Sequence, residues 1–199
     1  MFNFMRIPIL YTILILSSPG AIAQNQDTLY SFKDVGWTIH IPTGFTVIDS
    51  TVADLQMKNG VTIFEKILDT TVEKPLTRSL IYATKGQYEM FDATITSHDT
   101  TDGKSWETKL KSLKNADYQI FTKLIENATI DSLSNIISID GVSFDNFKLR
   151  IKMNGKVVLT SDLLSKLYNG YDFSISYMYV DDKTKEQIET MLMNSKFSR

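Results

Sequence analysis

"NIISIDGVSFDNFKLRIKMNGKVVLTSDLLSKLYNGYDFSISYMYV", Asn135 to Val180, decides the fold. Three turn dipeptides punctuate it: Asp140-Gly141, Asn154-Gly155 and Asn169-Gly170. Each lies between runs rich in β-branched and other apolar side chains. Asn-Gly and Asp-Gly supply the positive φ angles of a type I′ turn, whose twist matches the strands it joins. Three such turns in series predict a four-stranded antiparallel meander, with strands at about 130–139, 142–153, 156–168 and 171–180.

The last strand puts Tyr171, Phe173, Ile175, Tyr177 and Tyr179 on one face and Asp172, Ser174 and Ser176 on the other, because side chains alternate along a strand. An apolar stripe backed by polar residues is the pattern of a half-buried antiparallel strand. The tyrosines therefore read as core, sealed beneath helices, with their hydroxyls reaching partners at the sheet margin.

Two helices flank the meander. Asp181 and Asp182 offer an N-cap for "DDKTKEQIETMLMNSKF", where Ile188, Met191, Leu192 and Ser195 repeat at helical spacing,. A longer helix is expected from Lys104 to Ala128, capped by Ser105, with a break near Lys114-Asn115,. Its apolar stripe is Trp106, Leu110, Leu113, Ile120, Phe121, Leu124 and Ile125. Further upstream, "GWTIHIP" and "GFTVIDS" read as strands, and Val52 to Lys58 as a short helix capped by Ser50 or Thr51,. The "KNG" at Lys58 to Gly60 reads as a turn and the stretch around Pro75 as a loop,. "SLIYAT" and "YEMFDATITSH" read as two strands joined at Lys85-Gly86. The order defines an α+β fold, an antiparallel sheet covered by helices.

The first residues, "MFNFMRIPILYTILILSSPGAIAQ", have the form of a secretory signal peptide. Arg6 is the positive n-region, and Ile7 to Leu16 is an apolar run too short to span a bilayer,. Ala21-Ile22-Ala23 is a small-x-small cleavage site,. The expected organisation is a signal peptide over 1–23 and a single α+β domain over 24–199. With Arg6 removed, twenty basic residues face twenty-three acidic ones. That balance gives no field to collect nucleic acid. The chain has no cysteine, which excludes disulfides, thiol nucleophiles, thiolate metal sites and a lipidated N-terminal Cys. The expectation is an exported bacterial protein, periplasmic or secreted, with no membrane span after cleavage.

Three stretches resemble the Mog1/PsbP-like fold group. "VGWTIHIPTGF", Val35 to Phe45, is similar to its opening hairpin. "SIDGVSFDNFKLRI", Ser138 to Ile151, is similar to its central strand turn. "YDFSISYMYVDDKTKEQIETMLMNSKF", Tyr171 to Phe197, is similar to its last strand and closing helix. These are fold marks and carry no catalytic residue. The group includes a photosystem accessory subunit and a binding partner of a small GTPase. The resemblance implies a non-enzymatic binding scaffold whose partner is another envelope or secreted protein. Val52 to Glu73 matches nothing in the group.

Chemistry is sparsely marked. His40 sits on a strand face opposite Trp37, Ile39 and Ile41 and reads as solvated,. His98 heads "HDTTDG", where Asp99 and Asp102 could hold Ca²⁺ loosely, but the spacing is not that of a calcium loop,. No G-x-S-x-G, P-loop or dinucleotide fingerprint is present,. Catalytic, cofactor-binding and metal residues are accordingly all assigned as none. Two alternatives stay open: a hydrolase with an unmarked site near His98, and a carrier whose tyrosine face lines a cavity for a small apolar ligand. The triplet Asp, Ser or Thr, then an aliphatic residue, Met or Thr recurs at Asp27, Asp49, Asp69, Asp99 and Asp131. It resembles an O-glycan acceptor motif of exported bacterial proteins; Asp-Ser and Asp-Thr pairs are also ordinary turn and cap formers.

Overall fold

The computed structural model describes residues 27–69, 77–101 and 103–198. The stretches expected to be a signal peptide and a loop around Pro75 lie outside the described residues. The meander forms as its turns dictate: β6 (Thr129–Ile139), β7 (Val142–Met153), β8 (Lys156–Tyr168) and β9 (Tyr171–Tyr179). Asp140, Asn154, Asn169 and the glycine after each take positive φ, the type I′ signature,.

The meander is half of a larger sheet. β4 (Thr77–Gly86) and β5 (Glu89–Ser97) form a hairpin whose turn is Gln87-Tyr88, just past the expected Lys85-Gly86. β5 then pairs with β9 from Met90↔Met178 to Ser97↔Tyr171. With the two-residue β3 (Thr46–Val47), the order is β3-β4-β5-β9-β8-β7-β6, seven strands with every pairing antiparallel. A second, three-stranded sheet is made of β1 (Thr28–Phe32), β2 (Trp37–Ile41) and β10 (Lys196–Phe197). Neither β1 nor β10 is among the strands expected from the sequence. Both are short, and β10 has only two residues, too few to show any periodicity.

Both faces of the large sheet are covered, which makes three layers. On one face lie the small sheet and α3 (Asp182–Asn194). Trp37, Ile39, Phe197, Ile188 and Leu192 meet Phe173, Ile175, Tyr177 and Tyr179 there. Trp37 is the hub: its ring centroid lies 5.5 Å from Phe173 and 6.2 Å from Phe197. Each fully buried side chain of this size contributes roughly 1.5–3 kcal/mol. On the other face, α2 (Trp106–Leu124) buries Leu113, Ala116, Ile120 and Phe121 against Leu149, Ile151, Leu163 and Met178. The aromatic stripe is therefore core, as expected, but the long helix does not seal it. That helix covers the opposite face, so Asp172, Ser174 and Ser176 are buried too. A strand covered on both sides need not be apolar on both when hydroxyls line one of them.

Two helices differ from the expected spans. α1 runs Ser50–Leu68, well beyond Lys58, and is capped by Asp49, whose side chain accepts from the Thr51 N–H at 2.8 Å. The expected "KNG" turn is helical. Asn and Gly cost up to about 1 kcal/mol each there, which contacts of Ala53 and Val61 in the α1–α2 cluster offset. α2 is unbroken through Lys114-Asn115 and capped by Ser105 as expected, but ends at Leu124.

Candidate functional site

No described helix is long and apolar enough to cross a membrane. Four places on the molecule carry polar chemistry that the fold alone does not require.

The first is a groove of about 390 Å³ between β2 and α3. Asp27, His40, Lys183, Glu186, Gln187 and Asn194 line it. Strand alternation turns His40 away from the core side of β2, as read from the sequence,. Its Nδ1 lies 3.5 Å from Asp27 Oδ1, with both side chains exposed. α3 starts at Asp181, which caps Thr184 N at 2.7 Å, and this presents Lys183, Glu186 and Gln187 at helical spacing,. Lys85 fixes the wall by donating to Gln187 Oε1 at 2.7 Å and Thr184 Oγ1 at 3.0 Å. Glu186 and His40 were not singled out together by the sequence, because nothing local relates β2 to a helix some 145 residues on.

The second is His98. It does not pair with Asp99, which instead closes a turn onto Thr101 N at 2.8 Å. His98 Nδ1 lies 2.5 Å from Asp172 Oδ1, with side chains 14% and 6% exposed. β5 and β9 bring the two together, since His98 follows Ser97, the partner of Tyr171. Trp106 stands edge-on at 6.4 Å, and Lys109 donates to the Asp99 carbonyl. An imidazole held at Nδ1 by a buried carboxylate is oriented, the arrangement of a general base or a structural tie. Asp102, the other carboxylate of the expected calcium loop, lies outside the described residues. No group of three metal-ligating side chains occurs among the described residues.

The third is buried polarity within the sheet. Asp162 on β8 receives Asn146 Nδ2 at 3.1 Å, and its other oxygen lies 3.3 Å from Lys148 Nζ. Burial pushes its carboxyl up while Lys148 and Asn146 pull it back. Tyr177 and Tyr179 lie near it, and burial and then the Asp162 charge push both phenols up, Tyr179 to about 12. Across the sheet, burial raises Asp92 to about 7 and Asp117 well above the usual carboxylate range. Neither Asp117 oxygen has a hydrogen-bond partner among the described residues. Asp117 sits between Leu113 and Ile120 in the buried stripe of α2, where an apolar residue is the ordinary choice,.

The fourth is β6, an edge strand with no further strand beside it among the described residues, most of whose side chains are exposed. The acceptor-like triplets fall mainly in such open places. Ser50, Thr100 and Ser132 are exposed, Thr28 is half-buried in β1, and Thr70 lies outside the described residues.

No family model and no curated protein matches the chain. Among solved structures, it is similar to the solution structure of cyanobacterial PsbP (CyanoP) from Synechocystis sp. PCC 6803. The TM-score is 0.53 at 13% identity, over 92% of this chain and 99% of that one. The fold is thus PsbP-like, as the three sequence stretches implied.

Proposed function

We propose that this chain is an exported accessory module with no chemistry of its own, which holds a polar segment of another envelope or secreted protein between β2 and α3. The groove carries this reading: it is concave, built on a strand and a helix, and offers both signs of charge with amide donors and acceptors,. The PsbP-like fold supports it by analogy only. The apolar-carrier alternative is disfavoured because the tyrosine face is filled. Phe173, Ile175 and Tyr177 are buried against Trp37, Phe91 and Phe197, and a face already filled by core side chains has no room for a ligand.

The test is chemical cross-linking of the tagged protein in envelope extracts, with Lys183→Glu/Glu186→Lys alongside. One recurrent partner lost in the reversed-charge variant supports the groove. A partner captured equally by both moves the site elsewhere, and no recurrent partner ends the reading. The oriented His98–Asp172 pair keeps hydrolysis as a second reading. Labelling by a serine-reactive fluorophosphonate that disappears in His98→Ala would favour it.

A further inference from the structure

β6 ends the seven-stranded sheet with eleven consecutive residues, all in register with β7 and with no bulge. An open edge of this kind presents a row of unpaired N–H and C=O groups, and proteins blunt such edges with lysine, proline, bulges or a covering element. "TIDSLSNIISI" contains no lysine and no proline. Its single charge, Asp131, is matched within the chain by Lys152 on β7. Leu133 is 54% exposed on one face and Ile136 62% exposed on the other. From the flanking helix α2, Lys114 reaches the strand at Ser134, its Nζ 3.5 Å from the hydroxyl, and leaves Leu133 and Ile136 open.

The chemistry along β6 says what fits there. Ile130-Asp131-Ser132-Leu133-Ser134-Asn135-Ile136 reads almost the same in both directions. A twofold axis through an antiparallel strand pair sets each residue opposite its mirror position, so a near-palindromic strand meets its own copy like with like. With the axis at Leu133, Leu133 meets Leu133 of a second copy, Ser132 meets Ser134, and Ile130 meets Ile136. Asp131 meets Asn135, a carboxylate facing an amide donor. Apolar pairs, hydroxyl pairs and a hydrogen-bonding pair are the combinations that stabilise adjacent strands, and no like charges face each other. Shifting the axis to Asn135 sets Ser134 against Ile136 and Asp131 against Ile139, which forfeits the match.

We propose that β6 is a self-association edge: two copies pair antiparallel through β6 about Leu133, joining their seven-stranded sheets into one. The strand-edge contact is smaller than the roughly 1,200–2,000 Å² of a standard stable interface, so the dimer dissociates on dilution. This surface is separate from the β2–α3 groove, and each proposal stands without the other.

Sedimentation equilibrium of the mature protein over a concentration series is the first measurement. The expected result is a mass that rises from one copy to two. Leu133→Lys sets two ammonium groups face to face at the axis, and its mass stays at one copy throughout. Leu133 is exposed, so an unchanged far-UV spectrum, and a melting curve unchanged at dilutions where both proteins are single copies, will separate lost pairing from lost folding. A second variant reads the register directly, in a chain that otherwise has no cysteine. Directly opposed residues have Cα atoms about 4.5–5.5 Å apart, inside the disulfide range of about 4.4–6.8 Å. Leu133→Cys therefore forms an intermolecular disulfide under mild oxidation. Ile136→Cys does not, because its symmetry mate lies six residues along the strand, about 20 Å away. Wild-type protein that stays at one copy across the series, or cysteines 133 and 136 that cross-link equally, overturns the proposal.

Discussion

Trp37 Nε1 donates a buried hydrogen bond to Ser195 Oγ at 3.0 Å, across 158 residues of chain. The same hydroxyl donates to the Leu192 carbonyl at 2.7 Å, so Ser195 closes α3 and ties it to β2 at once. Ser195→Ala strands the indole N–H in the core, and an unsatisfied buried donor costs about 1–3 kcal/mol. Trp37→Ala removes the donor and the whole ring at the hub of the core, and costs roughly 3–5 kcal/mol. Urea unfolding should rank the two in that order, with unchanged m-values. Equal losses would mean that ring contacts around Trp37 contribute little.

Asp92 makes the protein less stable as pH rises. Burial lifts its folded-state pKa to about 7, above the ordinary value of 3.8. Below 3.8 both states are protonated and the group is neutral to stability. Between 3.8 and 7 only the folded state keeps the proton, so unfolding releases it and stability falls with each pH unit. The ceiling on that loss is about 4 kcal/mol, at about 1.4 kcal/mol per unit. Asp117 is shifted the same way by the same cause. Melting temperatures measured at pH 4 and pH 8 should therefore differ less in Asp92→Asn than in the wild type, with the variant more stable at pH 8. A wild-type protein that gains stability over this interval contradicts the buried carboxyls.

The meander was legible because its instructions are local: three Asx-Gly pairs set three reversals, and alternation set the faces between them,. The caps of α2 and α3 were legible for the same reason, Ser105 and Asp181 each bonding a backbone N–H three residues on. What the sequence hides is long-range. Nothing in Phe91 or Phe173 states that β5 docks on β9, or that Lys196 and Phe197 add a strand to β2. The polar face of β9 looks solvated in one dimension and is buried in three, because α2 lies over it. His98 offered Asp99 as its neighbour in sequence, while its partner in space, Asp172, belongs to a strand read only as a polar face. Asp117 carried a signal that went unused, an acid at the centre of an apolar helical stripe.

His98 and Asp172 act as one unit. If the pair is a structural tie, His98→Ala and Asp172→Asn each destabilise by about 1–3 kcal/mol, and the double variant loses little more than the worse single. Residues in contact commonly show such coupling at about 0.5–3 kcal/mol. A double-mutant cycle by chemical denaturation measures it. Strictly additive losses would show that the 2.5 Å contact contributes no energy of its own.

Gly36 and Gly155 separate backbone strain from crowding. Both hold positive φ, +58° and +77°, a conformation that costs an L-residue roughly 1–2 kcal/mol. At Gly155 an added methyl meets nothing within 4 Å, so Gly155→Ala should cost that amount and no more. At Gly36 it runs into Ser198, whose backbone N–H donates to the Gly36 carbonyl at 2.7 Å and whose carbonyl oxygen lies 3.0 Å from the new Cβ. Relief requires moving the chain end that carries β10 and Phe197, which is part of the core against Trp37. Gly36→Ala should therefore lose clearly more stability than Gly155→Ala, and amide exchange should accelerate at Phe197 and Ser198 in the first variant only. Equal losses, with β10 still protected in both, would show that the C-terminal strand yields without cost.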